Sequence, residues 1–521
     1  MPSRAIESAP ADANGASIPA ALPMTPMNTV IAAGLLALMF VFSNLGVEPL
    51  QDFDEGWHAV IAHDIATNDN FLSYTEDGQL TTGSVKPPLY FWAMAICFKL
   101  LGYSEFAARL FPAACHVLMI MCVAVFCCRH LNWTVALAAA FLLSTHQLLV
   151  YHHGARTADI DAPLVWFLTL TMLGVYEWRG GRMPWWLPLA WSCAVLTKGL
   201  ATIQILPPLA LWLLWERDWR LARRVALVLV LGVLPLAVFL ILREQAQPGA
   251  IQMLLEREFV GRIATEIDDP EMNGPLFYLE RSTRASAALL LGLAITLAAV
   301  RFRPRLAQQL QRPAEVGPLL RLLALWAIVP LILFSFAGTK RIWYMYPSLT
   351  AALILAAWVL RAGLRQLECA RRERLSGLVG LIIMGGIGLR ALSASLAERA
   401  ADHARAAEQT ELAGLARREG LGATVLAYEL RPVERFALRR AGVGYTRVWT
   451  ESELSDLLGQ RPGRVLILYP EEFDRDVVPL VAGRATDVPY VTRRRSVVLR
   501  EVAPAPRLSP ADPTARAPVP G

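Results

Sequence analysis

The residues best suited to chemistry in this chain lie beside its apolar runs. Asp52-Phe-Asp54-Glu55-Gly-Trp-His58 follows the first such run, and Lys86-Pro87-Pro88-Leu-Tyr90-Phe-Trp92 comes later in the same loop. A carboxylate near a membrane surface, partly stripped of water, can serve as a base. The Lys-Pro-Pro segment places one cation before a rigid start to a short aromatic helix, and Trp and Tyr favour interfacial depth. More polar residues end other apolar runs: Arg156, Asp159 and Asp161; Thr197-Lys198-Gly199; Glu258 to Arg262; and Lys340, Arg341 and Tyr344. Charges in such places cost free energy and are functional candidates. Singly, each has a plainer reading: Asp54 and Glu55 solvate a loop, and a lysine snorkels to the headgroups. Together, carboxylates and cations on one leaflet suit a ligand that carries phosphate plus a hydroxyl to be deprotonated.

The elements that position these residues are membrane spans. Of 521 residues 55% are hydrophobic and the mean hydropathy is +0.40, more apolar surface than a soluble protein hides. Apolar runs near 28–46, 108–128, 132–150, 162–178, 184–198, 200–215, 225–243, 282–300, 318–337, 343–361 and 376–394 each approach the ~20 residues that cross a bilayer. Arg179 and Arg182, Arg217 to Arg224, Arg301 to Arg312, and Arg361 to Arg374 all fall on one side, which the positive-inside rule makes cytoplasmic. With the N-terminus inside, about eleven spans put the C-terminal portion outside, along with long loops at 47–107 and 244–281.

The fold expected is therefore a polytopic α-helical membrane protein with a small C-terminal α/β domain. Residues 1–27 read as a disordered cytoplasmic N-terminus and 28–394 as the transmembrane domain; 395–502 form the exterior domain and 503–521 a Pro-rich tail. Alternation at Ala423–Tyr428 and Arg464–Tyr469 predicts strands, and 431–440 and 451–459 predict helices. The pI near 9.0 reflects topology-setting arginines, so no nucleic-acid partner is expected. The seven cysteines lie in or beside membrane segments without metal-site spacing, and the adjacent His152-His153 also lacks it; no metal site is expected.

Several motifs in order resemble a family. Asp54-Glu55, Lys86-Pro-Pro-Leu-Tyr-Phe-Trp, Ser104-Glu-Phe-Ala-Ala-Arg109-Leu, Asp161-Ala-Pro, Leu196-Thr-Lys198-Gly199, Glu258-Phe-Val-Gly-Arg262, Gly274-Pro-Leu-Phe-Tyr278 and Lys340-Arg-Ile-Trp-Tyr344-Met-Tyr-Pro347 are similar to motifs of the GT-C glycosyltransferases related to the lipid A aminoarabinose transferase and the protein O-mannosyltransferases. The resemblance covers roughly residues 28–361. It implies an inverting transfer of a sugar from a polyprenyl-phosphate donor to a lipid A-type lipid, a glycan or a protein, at the periplasmic face of a bacterial inner membrane. By resemblance Asp54 is the general base, and Lys86, Arg262 and Tyr344 hold the lipid phosphate. Lys198 and Lys340 are candidates for the same anionic site, Asp161 organises the cavity or a cation, and Glu55 orients the loop or an acceptor. No cofactor is implied beyond the lipid-linked donor, with a divalent cation left open. Val85, Trp57 and His58 depart from residues common in the aminoarabinose transferases and leave sugar and acceptor open. A protein O-mannosyltransferase-like enzyme is the alternative. A lipid-sugar transporter would be expected to show inverted repeats, which the sequence lacks.

Overall fold

The computed structural model describes residues 24–51, 54–80, 86–256, 276–281, 316–337, 340–368, 410–420, 422–460, 464–481, 485–487 and 497–502. Arg262 and the apolar runs at 282–300 and 376–394 lie outside the described residues.

Helix α1 (Pro26–Phe42) leads to α2 (Asp54–Asn68), a minimal hairpin of β1 (Thr75–Glu76) and β2 (Gln79–Leu80), and α3 (Leu89–Leu101). Then come α4 (Glu105–His130), α5 (Trp133–Thr145), α6 (Gln147–Tyr151), α7 (Asp161–Trp178) and α8 (Leu187–Lys198). A 3-10 turn at Gly199–Ile205 joins α8 to α9 (Leu206–Glu216), followed by α10 (Trp219–Leu231), α11 (Leu234–Ala246) and α12 (Ala250–Leu254). Helices α13 (Gly317–Ser335) and α14 (Tyr346–Glu368) follow among the described residues.

Among the described residues five runs are long and apolar enough to cross a membrane: Glu105–His130, Leu187–Glu216, Trp219–Ala246, Gly317–Ser335 and Ile342–Arg361. Helices α10 and α11 turn Leu227, Val230, Val238 and Ile241 outward, a surface suited to lipid. The chain is a multi-pass membrane protein.

Ion pairs fix which helix ends lie together. Lys198 Nζ at the end of α8 is 2.6 Å from Asp161 Oδ1 at the start of α7. At the other end of α7, Arg179 meets Glu216 of α9 at 3.4 Å, and Arg321 of α13 joins the same carboxylate at 2.7 Å. The continuous run Leu187–Glu216 therefore doubles back at Gly199 (φ +48°), a backbone position that favours glycine. Arg156 caps the end of α1 by donating to the carbonyls of Val41 (3.0 Å) and Ser43 (2.6 Å).

Among the described residues, two apolar cores lie in the helical part. The larger is built from α1, α4, α5, α7, α8, α9, α13 and α14. The smaller gathers Ala59, Ile61, Tyr90, Phe91 and Ala107 with Ala158, Ile160 and Phe239, beneath the loop that carries Asp54.

Residues 424–502 contribute β3 (Thr424–Tyr428), α15 (Pro432–Arg440), β4 (Thr446–Val448), α16 (Glu451–Gln460), β5 (Val465–Pro470), α17 (Asp474–Val481), β6 (Ala485–Asp487) and β7 (Val497–Val502). The sheet order is β4-β3-β5-β7-β6, with β3 parallel to β4 and β5, and β7 antiparallel to β5 and β6. Strand β5 is buried along its length, as expected for a central strand covered on both faces.

Candidate active site

Asp54 and Glu55 open α2, where the helix N-terminus favours negative charge. Their fates differ. The Asp54 side chain is 39% exposed, open to a reactant. Glu55 is buried, and Arg109 of α4 grips it with two bonds of 2.9 Å. The remaining Arg109 donors reach the carbonyls of Leu45, Glu48 and Pro49 at 3.2, 2.7 and 2.7 Å. The N–H groups of Gln51 and Ala158 also donate to Glu55. Its oxygens are spent on protein, an arrangement that fits orienting the segment around Asp54.

A tight turn brings in the neighbours of Asp54. After α6 the chain bends so that the Ala155 and Arg156 N–H groups reach back to the carbonyls of Leu149 (2.9 Å) and Val150 (2.8 Å). Gly154 is required there, because a Cβ would stand 2.2 Å from the Leu149 oxygen. The bend places His153 at φ +47° and stacks its ring on Trp343, with centroids 3.9 Å apart. His153 Nδ1 lies 3.3 Å from Asp159 Oδ2 and 3.7 Å from Asp54 Oδ2. His58 approaches Asp159 from α2 at 3.7 Å and the Ala158 carbonyl at 3.1 Å.

Burial opposes charge on both His153 and Asp159, but their mutual attraction outweighs it. The imidazole is raised to about 9, with Asp161 and Asp54 adding to the effect of Asp159; the Asp159 carboxyl is held down at about 2 by His153 and then His58. At neutral pH an imidazolium therefore bridges two carboxylates. Asp54, His153 and Asp159 also offer ligand atoms all within 4.8 Å of one another. One imidazole nitrogen and two carboxylate oxygens suit a divalent cation, whose binding would need the His153 proton to leave. His152 is not part of this group; its Nδ1 lies 3.4 Å from the Tyr346 hydroxyl.

The expected phosphate-binding residues divide into groups. Lys86 and Lys198 line a cavity of about 540 Å³, whose other walls are apolar and include Trp191, Leu229, Val233 and Leu236. Lys198 also holds Asp161, and both side chains are buried. Lys340 is buried, with Nζ donating to the Ala337 carbonyl at 2.9 Å. Tyr344 packs its ring 5.2 Å from Phe334, on the segment that reaches His153 through Trp343. Sequence reading did not single out His153, His58 or Asp159 as partners of Asp54. The alternate carboxylates Asp159 and Asp161 at the head of one span were the available signal; the fold directs one to His153 and the other to Lys198.

Comparison with known proteins adds a family context. A family model described as dolichyl-phosphate-mannose-protein mannosyltransferase matches residues 85–242. An uncharacterized protein of Aquifex aeolicus is 28% identical over 167 residues, 32% of this chain and 33% of that protein. The undecaprenyl phosphate-alpha-4-amino-4-deoxy-L-arabinose arabinosyl transferase of Aeromonas salmonicida is 25% identical over 384 residues, covering 70% of this chain. The chain spans 66% of that relative's length. The crystal structure of ArnT from Cupriavidus metallidurans bound to undecaprenyl phosphate superposes with a TM-score of 0.67 at 18% identity, covering 91% of this chain and 97% of that one. The chain thus shares the GT-C membrane fold that the motifs imply.

Proposed function

We propose that this protein is an inverting glycosyltransferase that moves a sugar from a polyprenyl-phosphate carrier to an acceptor at the outer face of a bacterial inner membrane. One observation carries the reading: an apolar cavity is lined by Lys86 and Lys198, and Lys198 joins it to the Asp159–Asp161 segment beside Asp54. Apolar walls suit a prenyl chain, and lysines at the rim suit its phosphate. Asp54 accepts the proton of the acceptor hydroxyl as the new bond to the anomeric carbon forms. The bond from that carbon to the phosphate oxygen breaks, and polyprenyl phosphate leaves with its charge held by Lys86 and Lys198. Arg262, Lys340 and Tyr344 are assigned to the same anionic site, and Asp161 sets the position of Lys198. The donor is the sole cofactor-like group required; a divalent cation at Asp54, His153 and Asp159 would compete with the ion pair there.

In this reading the chain crosses the membrane eleven times, the runs at 282–300 and 376–394 included, and the α/β unit is periplasmic. The names of the aminoarabinose transferases favour an undecaprenyl phosphate-linked aminoarabinose as donor, whereas the family model matching residues 85–242 favours a protein acceptor of the O-mannosyltransferase kind; a lipid A-type lipid or a glycan is the other acceptor class. The test is binding of undecaprenyl phosphate to the purified protein in nanodiscs, followed by native mass spectrometry. Lys86→Ala should weaken binding about 10-fold or more, the worth of a charge-assisted hydrogen bond. Equal binding by the variant and the wild type would contradict the phosphate assignment.

A further inference from the structure

We infer that the C-terminal α/β unit is a clamp that positions Asp54, with Arg435 as its positioning residue; this rests on reading Asp54 as the base. The contact begins two residues beyond Asp54. A Cβ on Gly56 would stand 2.6 Å from the Val433 nitrogen and 2.9 Å from the Pro432 carbonyl carbon, so the backbone of α15 lies directly on the first turn of α2. Val433 and Phe436 of α15 complete the smaller apolar core beneath the Asp54 loop, and Phe436 packs on Tyr103 with ring centroids 4.5 Å apart.

Around this seam the charges are matched and buried. Arg435, its side chain 1% exposed, pairs with Glu76 at 2.6 Å and with Asp77. Arg439 pairs with Asp64 of α2 and with Asp77, each at 2.7 Å, and the Tyr445 hydroxyl donates to Asp77 at 2.6 Å. Arg447 reaches Glu76 at 2.7 Å. The other Glu76 oxygen accepts from Trp57 Nε1 at 3.3 Å, so the network runs from Arg435 through the β1–β2 hairpin back to the first turn of α2. Asp77 and Gly78 both have positive φ, the backbone of a tight hairpin turn that presents the Asp77 carboxylate to α15. Buried ion pairs hold only where geometry is satisfied, and removal of one partner strands the other. A unit built for acceptor capture would keep such groups open; here they are spent on holding the segment that begins with Asp54.

The full-length protein in nanodiscs provides the test, read by hydrogen–deuterium exchange of peptides from α2. Arg435→Ala and Gly56→Ala should each speed exchange at 54–60 at least tenfold, while α4 and α5 exchange as in the wild type. Arg435→Lys should restore part of the protection. Arg464→Ala, which removes a pair with Glu419 inside the α/β unit, should leave α2 unchanged. In parallel, mass spectrometry of cell envelopes should show a polyprenyl-phosphate sugar accumulating in Arg435→Ala cells at normal protein level. Unchanged α2 exchange in both clamp variants would overturn the inference. So would faster α2 exchange with no accumulation in cells where Asp54→Asn does accumulate the donor. If Asp54→Asn itself accumulates none, the base assignment fails, and the exchange data still decide whether the unit clamps α2.

Discussion

His153 Nδ1 stands 3.7 Å from Asp54 Oδ2 and 3.3 Å from Asp159 Oδ2, so one imidazole links the proposed base to a buried carboxylate. His153→Asn should keep the left-handed backbone that Asn tolerates while losing this bridge. Protein yield and melting should stay near wild type, with turnover down roughly 100-fold, the lower end of what a positioned acid–base group supplies. Wild-type donor levels in envelopes of the variant would contradict a role for His153 at the base.

The pairing of Lys198 with Asp161 has both a structural and a chemical side. Lys198→Met strands a buried carboxylate and should cost about 3–5 kcal/mol, seen as lower yield and melting temperature. Lys198→Met combined with Asp161→Leu should recover most of that stability, because both buried charges go together. Transfer should remain lost in the double variant. Recovery of transfer along with stability would reduce the pair to scaffolding.

Glu55 and Arg109 make the opposite case. Arg109→Met leaves the Glu55 carboxylate without the guanidinium that grips it and should destabilise the chain by about 3–5 kcal/mol. The effect should appear as loss of folded protein in detergent. A stable Arg109→Met protein that is merely slow would return Glu55 to the substrate-contacting role.

Acid should loosen the clamp. Burial alone would raise the Asp64 carboxyl, but the His63 hydrogen bond, the Arg439 guanidinium and the Gly78 N–H hold it below its ordinary 3.8. A depressed folded-state value means stability that is fully present above the unfolded value and lost as pH falls through the folded one. Melting curves should therefore show Asp64→Asn less stable than wild type at neutral pH, with the gap closing below about pH 4. A gap that persists in acid would show that the Asp64 charge contributes nothing to docking.

The multi-pass helical character was legible because a bilayer forces long apolar runs with arginines at one end, as at Arg179 and Arg217. Asp54 and Lys86 stood out as candidates because a carboxylate and a cation beside an apolar run need a reason to be there. The bridge at His153 did not. It depends on a left-handed residue, a glycine with no room for a Cβ, and a Trp343 ring nearly two hundred positions away, none of which has a spacing rule. Arg435, Arg439 and Arg447 carry no spacing signal in the sequence, and it is docking on Asp64, Glu76 and Asp77 that pairs them. The burial of Glu55 against Arg109, 54 positions away, likewise required the fold.

The most direct test of the transferase account is mass spectrometry of lipid-extracted cell envelopes from wild type and Asp54→Asn. An amide cannot accept the acceptor's proton, so a polyprenyl-phosphate sugar should accumulate while one acceptor loses its sugar, with the protein at its normal level. That pair of changes would also identify both substrates. Identical carriers and acceptors in the two strains, with the variant folded and present, would contradict the transferase account and point to lipid binding or transport.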